Sequence, residues 1–246
     1  WLSRRFLEDR RSLKALHRRI LSSAAYRRAS RVPDALRAAD PTNRWLGAHP
    51  RRRLSAEELH DAVLAAAGSL DRVPGGDSSA RALLEKAEDI GAQIKPNRLA
   101  ADDPLYATVT KRALYLPQVR NMLPDVLALF DAADPNGVTA RRNETTVASQ
   151  ALFLMNSPFV TAQAERFAES LLGAADLDDA GRVDLASRRA LGRPATAEEV
   201  AEGLAFVAEA TDAALASSPD VATRRLAAWR DFCHAILCSA EFAHLE

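Results

Sequence analysis

Two Glu-x-x-His pairs, Glu57/His60 and Glu241/His244, have the sharpest chemical spacing in the chain. Helix positions three apart share a face, so each pair sets a carboxylate beside an imidazole. Helical bundles that hold two iron ions use two such pairs with two further glutamates. Against this, Glu57 falls in a helix-capping turn, and the second pair lies among the last residues, where a helix frays. The four residues stand as metal candidates only; the sequence assigns no metal and no catalytic residue.

A second polar group is "ARRNETT", residues 140–146. Arg141, Arg142 and Asn143 either anchor the loop, through carbonyls or through Asp131 and Asp134, or line a small anionic or carbohydrate cleft. Anchoring is the favoured reading. Gln150 lies in the apolar stretch "TVASQALFLMNSPFV" and must find partners for its amide. A bond to backbone at a helical corner is favoured over a ligand contact. The remaining candidates read as structural. His17 lies on a solvated helix face and His49 in a loop, while His234 beside Cys233 lacks the further ligands a zinc site needs. Ser157 has no nucleophile-elbow context, and helix capping explains it. Arg51, Arg52 and Arg53, with Arg27, Arg28 and Arg31, suit carboxylates or phosphates. Nucleic acid would call for interleaved aromatics, and only Tyr26 and Trp45 are near, so pairing with acidic protein segments is preferred.

Helical signals predominate among the elements that position these groups. Ser12 is an N-cap ahead of Leu13, Leu16, Ile20 and Leu21. Ser55 and Glu58 form a capping box, with Leu59, Val63 and Leu64 as the stripe and Gly68 as the stop. Residues 71–104 are rich in Pro, Gly, Asp and Ser, with room for one short helix at about 79–90. The stretch 106–119 has the only β-like composition and predicts one short strand or hairpin. Helices follow over 122–130, capped by Asn121, and from a Thr145 or Thr146 cap to Asn156. Asn-Ser-Pro at 156–158 then reads as stop, cap and restart, making a tight corner beside a helix buried on all sides. Further helices are expected over 179–191, from the Thr196/Glu199 capping box to 210, and over 219–238. The fold class is therefore mainly α: an irregular multi-helix domain spanning 1–246, helical over 1–70 and 121–246, with an irregular insert between.

The totals exclude several classes. Lys and Arg number 33, as do Asp and Glu, so no global charge favours nucleic acid or acidic lipid. The distribution is uneven: residues 1–60 hold fifteen basic and six acidic groups, whereas 196–246 hold three and nine. Cys233 and Cys238 give no disulfide framework, since five positions on a helix separate them by about 140°. No CxxCH haem-attachment site occurs. No run approaches the roughly 18 apolar residues of a membrane span. The chain opens inside an amphipathic pattern without Met, as a piece of a longer polypeptide would.

Several stretches then recur in a familiar order: "SLKALHRRILSSAAYRRAS", "DPTNRWL", "RRRLSAEELHDAVLAAAGSLD", "YLPQVRNMLPDVLALFDAADPNGVTARRNETTVASQALFLMNSPFV", "ALGRPATAEEV" and "AWRDFCHAILCSAEFAHLE". In these the chain resembles the planctomycete-associated domain of unknown function number 1553. It departs from the pattern at Ser239-Ala240-Glu241-Phe242, where the family tends to Asn-Glu-Phe, at His60, where Arg is commoner, and over 77–104, a shortened insert. The resemblance implies the C-terminal domain of a large exported protein, periplasmic or at the cell surface, whose upstream part carries a cytochrome-c-like module. It implies no cofactor in this chain, with haem c in an upstream domain, and it carries over no catalytic residue. Two functions follow as expectations. The first is a non-catalytic scaffold or binding module whose partners are the upstream domains, a polysaccharide or a cell-surface protein. The alternative is a carbohydrate-active or hydrolytic domain whose cleft is completed upstream.

Overall fold

Turn chemistry and apolar spacing cut the chain into short helices, which the computed structural model describes over residues 1–74, 109–116, 123, 125–216 and 218–245. The helix expected near 79–90 and the Asn121 cap lie outside the described residues. The chain divides into two compact units, Trp1–Arg53 with the chain's end from His244, and Leu54–Ala243.

The first unit carries α1 (Leu2–Glu8), α2 (Leu13–Leu21) and α3 (Asp34–Ala39), none of which buries a residue. Polar ties hold it instead. Arg10 and Arg11 adopt positive φ and break α1 from α2. The Ser12 hydroxyl then accepts the Ala15 N–H at 3.2 Å and starts α2 as its spacing predicts. Arg19 grips Asp9 with two hydrogen bonds of 2.7 and 2.8 Å, closing that corner. β1 (Arg52–Arg53) and β2 (His244–Leu245) pair antiparallel, Arg53 opposite His244.

The second unit holds the core. α4 (Ala56–Ala67) begins at the Ser55/Glu58 capping box and ends at Gly68, whose φ of 77° suits a residue without Cβ. α5 (Asp125–Leu129), α6 (Ala148–Asn156), α7 (Pro158–Leu172), α8 (Asp179–Leu191), α9 (Ala197–Ala213) and α10 (Val221–Leu237) follow. α7 and α10 form the main helical pair, flanked by α4 on α7 and α9 on α10. Leu59, Leu64, Phe167, Leu171, Trp229 and Leu237 are fully buried between them. Burial of each such side chain stabilises by about 1.5–3 kcal/mol, so this cluster determines the unit's stability. Arg182 of α8 donates to the Leu171 and Ala174 carbonyls at 3.1 and 3.2 Å, satisfying acceptors at the end of α7.

The fold is mainly α, as expected, with a two-stranded antiparallel pair as its only sheet among the described residues. That pair lies at 52–53 and 244–245. Within 106–119, the described residues show an isolated bridge from Lys111 to Asp71 and one 3-10 turn, Ala113–Tyr115.

The stretch 146–160 differs from its sequence reading in three ways. α6 is not buried on all sides: Leu152 and Met155 are 56% and 59% exposed, and Gln150 and Leu154 alone are buried on it. A short helix that packs through one face leaves its other apolar residues in solvent whatever their type. The helix starts at Ala148 with Val147 in the N-cap position, and Thr145 turns away to bond Asp131. Ser157 occupies the N-cap of α7, yet its side chain caps nothing, and its buried Oγ has no hydrogen-bond partner. The last long helix takes Asp220 as its cap, through the N–H groups of Ala222 and Thr223.

Candidate functional site

The Glu-x-x-His residues are committed to separate structural tasks. Glu57, in the first turn of α4, receives both guanidinium branches of Arg142 at 2.6 and 2.8 Å. Burial pushes its carboxyl up, but the Arg142 hydrogen bonds and charge, with its own main-chain N–H and Ser55, together outweigh burial, and the group titrates below its ordinary value. His60 is buried, its ring stacked on Phe159 with centroids 5.2 Å apart. Its Nδ1 lies 3.3 Å from Asp61 Oδ1. Asp61 also accepts the Ala113 N–H at 2.6 Å and Arg112 Nε at 3.1 Å. Burial raises the Asp61 carboxyl, and these donors, His60 first, bring it below the usual range. Asp61 thus ties α4 to the 3-10 turn 51 and 52 residues later.

Glu241 belongs to another tie. Arg193 Nε and Nη2 reach it at 2.6 and 2.8 Å, while Nη1 and Nη2 reach Glu199 at 2.8 and 2.7 Å. The guanidinium holds the Glu199 carboxyl down to about 2, helped by the Thr196 N–H of the capping box. His244 sits in β2 opposite Arg53. No group of three His, Cys, Asp or Glu placed to hold a metal occurs among the described residues.

The 140–146 loop is fastened at three points. Arg142 grips Glu57, Thr145 bonds Asp131 through its N–H and its hydroxyl, and Gln150 Nε2 donates to the Leu129 carbonyl at 2.8 Å. Gln150 also donates to Thr145 Oγ1 at 3.2 Å and accepts the Val147 N–H at 3.3 Å, so its buried amide is satisfied. Arg141 and Asn143 are exposed and face solvent. Asp131, not the arginines, bonds the loop's main chain; an Arg142 partner 85 residues away has no local sequence signal. Cys233 is buried in α10, which pushes its thiol pKa up, and Cys238 is half-buried just past that helix.

Two concavities among the described residues bear on binding. On the helical unit, a groove of about 290 Å³ runs between α8, α9 and α10, floored by Gly203 and Phe232 and edged by Glu199 and Glu202. In the N-terminal unit, a pocket of about 300 Å³ follows α3, with Leu36, Arg37, Asn43, Trp45, His49 and Arg51 among its walls. Sequence reading noted Trp45 without assigning it a role. The signal was present in "DPTN", where Asp, Pro and Asn mark a tight turn ahead of the aromatic residue. Asp40 spends its two carboxylate oxygens on the N–H groups of Arg44 and Trp45, both at 2.8 Å. Asn43 clamps Ala48, accepting its N–H at 3.0 Å and donating to its carbonyl at 2.8 Å.

Comparison with known proteins gives one family and nothing nearer. No match is found among curated proteins, and none among solved structures. Residues 1–207 match the family model described as PSD1, protein of unknown function (DUF1553), a span that takes in the N-terminal pocket, the 140–146 loop and Arg193. With most of its length inside that match, the chain belongs to the PSD1 (DUF1553) family.

Proposed function

We propose that this chain is a non-catalytic scaffold and binding module of an exported multidomain protein, with a cytochrome-c-like module upstream. One observation carries the non-catalytic part. Among the described residues, Asp9, Glu57, Asp61, Asp71, Asp184, Glu199 and Asp220 are each bonded to a guanidinium, an ammonium or a main-chain N–H of the chain's own loops and helix ends, and all are displaced downward, toward the charged form. General acids need the reverse, a carboxyl held up near the working pH. These groups brace helix ends and loops, and that is what a scaffold requires of them. Export, the haem module and the surface location follow from family resemblance, which is an analogy of architecture.

The test uses the native full-length protein and a form lacking this segment. The scaffold reading expects the same Soret band in both, with cell-envelope retention lost in the shortened form. Loss of the haem spectrum together with this segment would overturn the reading, because the segment would then be part of the redox centre.

A further inference from the structure

We propose that the Trp45 pocket of the N-terminal unit binds an acidic sugar residue of an anionic polysaccharide; this rests on the binding-module reading above and gives it a ligand. Trp45 is 74% exposed although it is among the largest apolar side chains in the chain. Its position is not loose. Asp40 holds the Arg44 and Trp45 N–H groups, Asn43 holds both polar groups of Ala48, and Arg28 donates to the Gly47 carbonyl at 3.2 Å. Asn43 and Leu46 flank the tryptophan with φ of 51° and 53°. Asn tolerates that conformation, whereas Leu does not adopt it without cost. The loop is thus fixed in a form that displays an indole to solvent.

The chemistry around the indole selects the ligand. An aromatic face is electron-rich and meets the C–H face of a pyranose ring by stacking. Arg37 stands on the pocket wall, and a guanidinium recognises a carboxylate or sulfate through paired donors. Residues 1–53 contain fifteen Arg and Lys against four Asp and Glu. Asp9 is tied to Arg19, and Asp40, the acidic group on the pocket wall, has both oxygens turned to the Arg44 and Trp45 N–H groups, so the basic excess of this unit still favours an anion. A volume of about 300 Å³ lies at the small end of ligand sites and suits a single ring. Single-stranded nucleic acid is recognised by successive aromatic platforms along a groove, whereas the rings on this pocket's walls are Trp45 and the smaller His49 imidazole, which meets Tyr26 edge-on.

Calorimetric titration of the full chain with polygalacturonate oligomers, neutral maltooligosaccharides and oligothymidylate decides the matter. The expected result is binding of polygalacturonate alone, weakening as salt rises. Trp45→Ala should weaken it about tenfold, the worth of one aromatic contact. Its melting temperature should change little, since Trp45 is 74% exposed. Arg37→Gln should weaken the acidic ligand as well. Equal affinity for maltooligosaccharide, or tighter binding of oligothymidylate, overturns the acidic-sugar assignment. Absence of binding to all three by chain with a native circular dichroism spectrum overturns it too; the scaffold reading would then stand or fall on envelope retention alone.

Discussion

Ser157 shows how much of a residue's role its neighbours decide. Its position, between Asn156 and Pro158, is that of a helix cap, and the chain does turn there. The hydroxyl is nevertheless buried without a partner. A capping serine replaced by alanine loses about 1 kcal/mol. An unsatisfied buried hydroxyl replaced by alanine loses nothing and can gain. Ser157→Ala is therefore expected to leave the melting temperature unchanged or raise it; a drop of several degrees in a thermal melt would restore the capping role. Glu199 makes a pH prediction. Its folded pKa of about 2 lies below its ordinary 4.5, so its contribution is complete above pH 4.5 and is lost as pH falls toward 2. Arg193→Ala should lower stability by about 1–2 kcal/mol at pH 7, discounted for the pair's partial exposure. It should also flatten the decline in melting temperature between pH 4.5 and 2. An unchanged acid limb would mean that other carboxylates set it.

At the scale of elements, packing near Gly203 is the tightest constraint. A Cβ there would stand 3.0 Å from the Phe232 ring and 3.2 Å from Val183. This close approach lets α9 lie against α10. Gly203→Val should destabilise the protein by about 1–3 kcal/mol through overpacking, read from urea denaturation. Free tolerance of valine would mean that the two helices separate easily. The helix limits set by local chemistry were legible from sequence: both capping boxes, at Ser55/Glu58 and Thr196/Glu199, occur, and Gly68 and Gly192 end their helices at φ of 77° and 72°. α6 was misread because its solvent exposure depends on what packs against it, and periodicity holds no record of that. The same limit hid the Arg142–Glu57 and Arg193–Glu241 ties, which join residues 85 and 48 positions apart. The Trp45 loop was half legible: its turn residues announce a corner, but not that the corner encloses a pocket.

For the whole molecule, stability is uneven. The helices of the first unit bury no residue, while Leu54–Ala243 contains the buried cluster on α4, α7 and α10. Local opening costs least where few apolar groups are buried. Amides of α1 to α3 should exchange with deuterium well before those of α7 and α10; equal protection would mean that polar ties alone can supply the stability of a core. The same division fits the proposed division of labour, with a basic unit that presents a ligand pocket and a helical unit whose ionised groups brace its fold. No helix among the described residues is long and apolar enough to cross a membrane.

That bracing role is tested most directly by a double-mutant cycle across Glu57 and Arg142, using Glu57→Gln, Arg142→Gln and the pair. These residues carry the most suggestive chemistry in the sequence, and their bidentate contact joins α4 to the 140–146 loop. A structural tie expects each single change to lower stability and the pair to show a coupling energy of about 1 kcal/mol. Zero coupling, with both single variants as stable as the parent, would contradict it. Glu57 would then be free for chemistry, and the metal and ligand readings would reopen.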